Sequence, residues 1–103
     1  MAGGKKLTGL KAIVTGGAQG IGETIARVLA FEGAWVAIAD INLQAAERAA
    51  SEIEKAGGAA WAVRADLTNR REVTEMVKKV LDRCGEIDIL VNNAGGLNKY
   101  SPV

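Results

Sequence analysis

The run Thr15-Gly16-Gly17-Ala18-Gln19-Gly20-Ile21-Gly22 constrains this chain more than any other stretch. A β-branched segment, Lys11-Ala12-Ile13-Val14-Thr15, precedes it, and an apolar helical pattern follows. Strand, glycine turn and helix in that order build a cradle for a phosphate. The helix N-terminus offers unpaired N–H groups and the positive end of its dipole. In such a turn Gly16 permits the sharp bend, Gly20 a close backbone approach to a diphosphate, and Gly22 close seating of the helix on the strand. The spacing is Gly-x-x-x-Gly-x-Gly. It is not a Walker A loop, because no Lys-Ser or Lys-Thr follows Gly22. The competing reading is an ordinary glycine-rich turn. The position between a strand and a helix favours the cradle.

The rest of the chain alternates strand and helix. Strand one is expected at about 11–15, with a helix from about 20 to 32 whose stripe is Ile21, Ile25, Val28 and Leu29. Gly33 stops that helix. Strand two, Trp35 to Asp40, is nearly all apolar, as a strand buried on both faces should be. Asn42 can cap a second helix that runs to about Ala56, with a small buried face of Ala46, Ala49, Ala50 and Ile53. Gly57-Gly58 ends it, and strand three spans about 59–64. Thr68 or Asn69 caps a third helix, and Asn69 and Glu72 have capping-box spacing. Its stripe is Val73, Met76, Val77, Val80, Leu81 and Cys84, and Gly85 stops it. Strand four is expected over 87–91. This order implies an α/β, doubly wound parallel sheet. With strand order 3-2-1-4 and right-handed crossovers, the first two helices share one face and the third lies on the other. The crevice between strands one and four is then the switch point where nucleotides bind.

Asp40 closes strand two, 18 positions after Gly22. A carboxylate there can accept hydrogen bonds from both ribose hydroxyls of an adenosine, and it would repel a 2′-phosphate. The neighbouring positions, Gln19 and Ile41, supply no cation for such a phosphate. NAD is therefore expected in preference to NADP. The plainer reading, that Asp40 only ends a strand, is outweighed by the glycine loop upstream.

Together these residues resemble the short-chain dehydrogenase/reductase family, over residues 8–95. Thr15-Gly16-x-x-x-Gly20-x-Gly22 matches its cofactor motif, and Asn92-Asn93-Ala94-Gly95 matches its second signature at the end of strand four. Asp66-Leu67 matches a weaker third position. The resemblance implies the N-terminal, incomplete part of a Rossmann-type domain. It implies that Gly16, Gln19, Gly20, Ile21 and Gly22 seat the diphosphate and that Asp40 and Ile41 sit at the adenosine ribose. Asp66 would approach the adenine amino group, with Leu67 in backbone contacts. Asn92, Ala94 and Gly95 would border the middle of the cofactor while Asn92 helps hold the sheet. Local readings stand beside these. Asp66 can serve as a hydrogen-bond acceptor at the loop before the third helix. Asn92-Asn93 can be a polar stop to an apolar strand.

Composition excludes several chemistries. The 103 residues contain no histidine, which removes Ser-His-Asp and Cys-His catalysis and argues against zinc. Cys84 is the only cysteine, so no internal disulfide framework exists, and its place on an apolar stripe makes it a small hydrophobe. A net charge of +1 argues against a nucleic-acid partner. No stretch is long and apolar enough to span a bilayer, no signal-peptide core opens the chain, and a cytoplasmic setting is expected. Residues 1–6 are expected as a loose tail and 96–103 as an unfinished loop. The Ser and the Tyr-x-x-x-Lys that the resemblance calls for are missing; Tyr100 is the only tyrosine, and Lys99 lies on its wrong side. The chain alone is therefore expected to bind a dinucleotide without transferring hydride, as the cofactor half of a longer enzyme that acts on a small hydroxyl or carbonyl substrate. That parent is expected to be a homo-oligomer, and the isolated chain to self-associate through strand four. A non-catalytic dinucleotide-binding module and a truncated product are the alternatives.

Overall fold

The computed structural model describes residues 5–93. Along the chain it runs β1 (Lys11–Thr15), α1 (Gly20–Phe31), β2 (Trp35–Asp40), α2 (Leu43–Lys55), β3 (Ala59–Arg64), α3 (Arg70–Cys84) and β4 (Ile89–Asn92). The strands form one sheet in the expected order β3-β2-β1-β4, and every pairing is parallel, as the alternation of elements implied. Register sets Thr15 level with Ala39 on one side and Asn92 on the other. The C-terminal ends of the strands thus share one edge of the sheet.

Alternate residues of the central strands feed two cores. Ala12, Val14, Val36, Ile38 and Ala60 meet Ala26 and Ala30 of α1 and Ala46, Ala49, Ala50 and Ile53 of α2. Ile13, Ala37, Ala39 and Val63 meet Met76 and Val80 of α3 on the opposite face. The first core is alanine-rich on the helix side, so α1 and α2 lie close to the sheet. Trp35 and Trp61 stack with ring centroids 6.4 Å apart over the second core, and the Arg83 guanidinium lies 4.8 Å from the Trp61 ring.

Helix ends follow their local chemistry. The Asn42 side chain accepts from the Ala45 N–H, and the Asn69 side chain from the Glu72 N–H. The capping box is only half made. Glu72 Oε1 accepts from the Asp66 N–H at 2.9 Å and pairs with Arg64, instead of returning to the Asn69 N–H. Gly85 ends α3 with φ 88, in the left-handed region where a Cβ is costly.

Two expectations are corrected. The buried face of α1 is Gly22, Ala26 and Ala30, with Ile25 and Leu29 at its margin. Ile21 and Val28, expected on the buried stripe, are 73% and 55% exposed. The helix approaches the sheet so closely that only small residues fit beneath it. Strand four begins at Ile89 instead of Ile87. Asp88 takes the preceding place: its N–H donates to the Lys11 carbonyl, and its Oδ2 accepts the Lys11 N–H, both at 2.8 Å. Ile87 turns into the α3-side core. At the other end of the described chain, Lys6 donates its N–H to Glu32 Oε1, and the Lys5 ammonium lies over the Phe31 ring.

Among the described residues β4 pairs only with β1, and Leu90 is 63% exposed beside buried Ile13. An apolar edge without proline is a template for strand pairing. The 103-residue chain is expected to self-associate in a concentration-dependent way, and Leu90→Lys to shift it toward monomer in sedimentation velocity. A strictly monomeric, sharply melting unsubstituted chain at high concentration would show that this edge carries no such liability.

Candidate functional site

The β1–α1 loop leaves the C-terminal edge of the sheet and turns back into α1. Gly16 and Gly20 have φ of 65 and 63, which a side chain would oppose. A Cβ on Gly20 would meet nothing within 4 Å, so open space lies beside it. Gly22 is the opposite case. A Cβ there would sit 2.1 Å from the Gly16 carbonyl oxygen and 2.7 Å from Asn93 Nδ2. Gly22 therefore lets the first turn of α1 lie directly on the loop that precedes it. The N-cap residue, Gln19, makes no side-chain hydrogen bond to the helix, so no side chain covers the first-turn N–H groups from that position.

Three strands deliver polar groups to this loop. From β4, Asn93 Nδ2 donates to the Gly16 carbonyl at 3.3 Å. The Asn93 N–H donates to Thr15 Oγ1 at 2.9 Å, and that hydroxyl lies 3.2 Å from both the Val91 carbonyl and Asn92 Oδ1. Thr15 thereby ties β1 to β4 at the crevice. From β2, Asp40 Oδ2 accepts the Ala18 N–H at 3.3 Å, and Oδ1 accepts the Asn42 N–H at 3.0 Å. A carboxylate has about four lone-pair directions. Asp40 thus keeps acceptor capacity while being held against the glycine loop.

Asp66 follows Ala65, whose N–H donates to the Asp40 carbonyl, and its own side chain bonds locally. Its Oδ1 accepts both the Thr68 N–H at 3.0 Å and the Thr68 hydroxyl at 2.7 Å, closing the turn before α3. These bonds, the hydroxyl's first, hold its pKa below the ordinary aspartate value. The local role is therefore visible, and Leu67 packs against the α3-side core. Ile41, beside Asp40, is 56% exposed. Ala94 and Gly95 lie outside the described residues.

Sequence reasoning gives Thr15 and Asn93 a place in the two motifs without a role of their own, and it does not pick out Arg48. Arg48, on α2, donates from Nη2 to the Ala18 carbonyl at 3.1 Å. Nothing in local periodicity marks it, since it occupies the polar face of its helix. Its guanidinium also lies 3.6 Å from Glu23 and 3.4 Å from Glu52. Glu23 pairs with Arg27 at 2.8 Å, and Arg27 reaches across to Glu52. The four charges bridge α1 and α2 at the flank of the loop. The Arg27 hydrogen bond is the main cause that holds the Glu23 carboxyl below its ordinary pKa, with the Arg27 and Arg48 charges adding to it against the opposing effect of burial.

Strand, glycine loop, Asp40 at the end of the neighbouring strand and Asn92-Asn93 at the crevice form one continuous edge. The chain matches the description short chain dehydrogenase over residues 10–102. It belongs to the short-chain dehydrogenase family. It is 44% identical over 91 residues to 7alpha-hydroxysteroid dehydrogenase of Escherichia coli (strain K12), covering 88% of this chain and 36% of that protein. It is 51% identical over 89 residues to sorbitol dehydrogenase of Cereibacter sphaeroides, covering 86% of this chain and 34% of that one. A solved structure of a 7α-hydroxysteroid dehydrogenase with NADH and 7-oxo glycochenodeoxycholic acid aligns with a TM-score of 0.85 at 44% identity, covering 87% of this chain and 35% of the other. The chain spans about a third of the length of these relatives.

The Gly22 contact predicts that Gly22→Ala lowers stability by about 1–3 kcal/mol, the usual cost of overpacking, because the new methyl meets backbone. Urea titration measures it, and an unchanged midpoint would contradict the close approach. A second expectation concerns acid. Glu23 has a folded pKa below its unfolded one. Its contribution is complete above the unfolded glutamate value, about 4.3, and is lost as pH falls through the lower folded value. Glu23→Gln should therefore flatten the decline of the melting temperature between about pH 5 and pH 2. An identical acid limb in both proteins would oppose it.

Proposed function

We propose that this chain is the NAD-binding half of a short-chain oxidoreductase that moves a hydride between a nicotinamide cofactor and a hydroxyl or carbonyl substrate. The observation that carries the reading is Asp40. It closes β2 with its carboxylate bonded to the Ala18 N–H of the glycine loop, so an acceptor for ribose hydroxyls stands beside a backbone suited to a diphosphate. The residues present fit such a group. Gly20 leaves room where a Cβ would otherwise stand, and the first turn of α1 has no side-chain cap from Gln19.

The roles are those the family resemblance implies. Gly16, Gln19, Gly20, Ile21 and Gly22 would carry the diphosphate, and Asp40 and Ile41 the adenosine ribose. Asn92, with Ala94 and Gly95 beyond it, would border the middle of the cofactor. Asp66 would reach the adenine edge from the loop after β3, with Leu67 beside it. The nicotinamide ring supplies the hydride acceptor or donor when bound. Thr15 and Asn93 tie the two strands at the crevice, and Arg27, Arg48, Glu23 and Glu52 brace the flank of the glycine loop.

Preference for NAD over NADP rests on charge. The Asp40 carboxylate opposes a 2′-phosphate, and neither Gln19 nor Ile41 is a cation. Arg48, on the neighbouring helix, is already paired with Glu23 and Glu52. The names of two relatives, a hydroxysteroid dehydrogenase and a sorbitol dehydrogenase, support a hydroxyl/carbonyl substrate class. A homo-oligomeric parent in the cytoplasm completes the proposal. No described helix is long and apolar enough to cross a membrane.

Calorimetric titration tests the cofactor assignment. The chain should bind NADH about tenfold or more tighter than NADPH, a difference of about 1.4 kcal/mol. Replacing Asp40→Ala together with Ile41→Arg should erase or reverse the ratio. Tighter NADPH binding by the unsubstituted chain would overturn the assignment.

A further inference from the structure

Ala18 lies midway through the glycine loop, is fully buried, and is gripped by two side chains of opposite charge. Its N–H donates to Asp40 Oδ2 at 3.3 Å, and its carbonyl accepts from Arg48 Nη2 at 3.1 Å. The flanking glycines, Gly16 and Gly20, both have positive φ. Glycine gives a backbone freedom on either side of its allowed regions, so the segment between them has little intrinsic preference for one orientation. A buried peptide group without partners would also be costly. Something outside the loop must therefore hold Ala18. Asp40 supplies one half of the hold, from the end of β2. The other half comes from α2, eight residues further along the chain.

We propose that Arg48 is a positioning residue for dinucleotide binding: it fixes the Ala18 carbonyl, and through it the path of the loop from Gly16 to Gly20. The ligand side of this inference rests on the NAD-binding reading above. Arg48 acts through the loop and has no assigned contact with the cofactor. Its own aim is fixed from behind. Glu23 in the first turn of α1 and Glu52 one turn further along α2 both lie against its guanidinium. Arg27 engages the same two carboxylates from α1, so the cations and anions of the cluster balance. An arginine suits this position because its planar guanidinium reaches the Ala18 carbonyl and Glu23 from Nη2 while facing Glu52 with Nη1. A lysine could keep the charge but could not reproduce that fork. The grip also joins the two ends of the proposed site. The group that would read the ribose and the group that steadies the diphosphate loop share one residue, Ala18, through its two adjoining peptide groups, so loosening one end loosens the other.

Amide hydrogen exchange on the full chain tests the grip without any ligand. Arg48→Ala should speed exchange at Ala18 about tenfold, the loss expected for one charge-assisted hydrogen bond, while Ile13 and Val14 in β1 keep their protection. Arg48→Lys should fall between the two proteins. NADH titration of the same variants then reads the consequence. The Kd should rise about tenfold in Arg48→Ala and less in Arg48→Lys. Unchanged exchange at Ala18 would overturn the inference. So would faster exchange spread evenly over β1 and α1, which marks a general loss of stability. An unchanged Kd in a chain that does bind NADH would overturn the binding role. Failure of the unsubstituted chain to bind NADH would overturn the cofactor reading instead, and the exchange result at Ala18 tells the two failures apart.

Discussion

The missing Cβ at Gly22 is the constraint on which the rest of the molecule depends. The first turn of α1 lies on the Gly16 carbonyl so closely that a methyl group would stand 2.1 Å from it. That approach sets the height of α1 over the sheet. Ala26 and Ala30 continue the same thin face, and α2 answers it with Ala46, Ala49 and Ala50. Small residues on both helices leave the bulk of that core to the strands, where Ile38, Val14 and Val36 are fully buried. A close-packed interior of this kind is intolerant of even one added methylene. The loop geometry and the core are therefore parts of one fit.

That fit brings the polar groups of three strands to the C-terminal edge of the sheet. Thr15 joins β1 to β4 through Val91, Asn92 and Asn93. Asp40 joins β2 to the loop at Ala18. Parallel strands make this convergence possible, because all of their carboxyl ends emerge on one side and the crossover helices stay on the faces. The four-charge cluster on α1 and α2 adds little stability as a set of exposed pairs, about 0.2–1 kcal/mol each. Its consequence is geometric: it holds the helices in the relation that lets Arg48 reach the Ala18 carbonyl.

Much of this was legible in the residues. A buried parallel strand is apolar throughout, so β2 could be bounded at Trp35 and Asp40 from composition alone. The cap at Asn42 and the stop at Gly85 each have a local cause, and local causes are readable in one dimension. The α2 face of Ala46, Ala49, Ala50 and Ile53 followed from helical spacing. The α1 face did not. Spacing alone favoured the large apolar residues Ile21 and Val28, while the distance between helix and sheet selected Gly22, Ala26 and Ala30. The start of β4 was likewise set by Asp88 engaging Lys11, 77 residues away, which no local pattern reports.

The sequence by itself determined the order of elements and the glycine loop between strand and helix, because periodicity and glycine placement are properties of the chain. Only the tertiary structure decided which groups hold that loop. Asn93 meets Gly16 across 77 positions, Asp40 meets Ala18 across 22, and Arg48 meets the same residue across 30. A hydrogen bond depends on a separation of about 3 Å in space and carries no signal in the spacing along the chain. Glu72 makes the same point on a smaller scale: its capping-box position was plain, yet Arg64 and the Asp66 N–H took its carboxylate, because folding had placed them within reach.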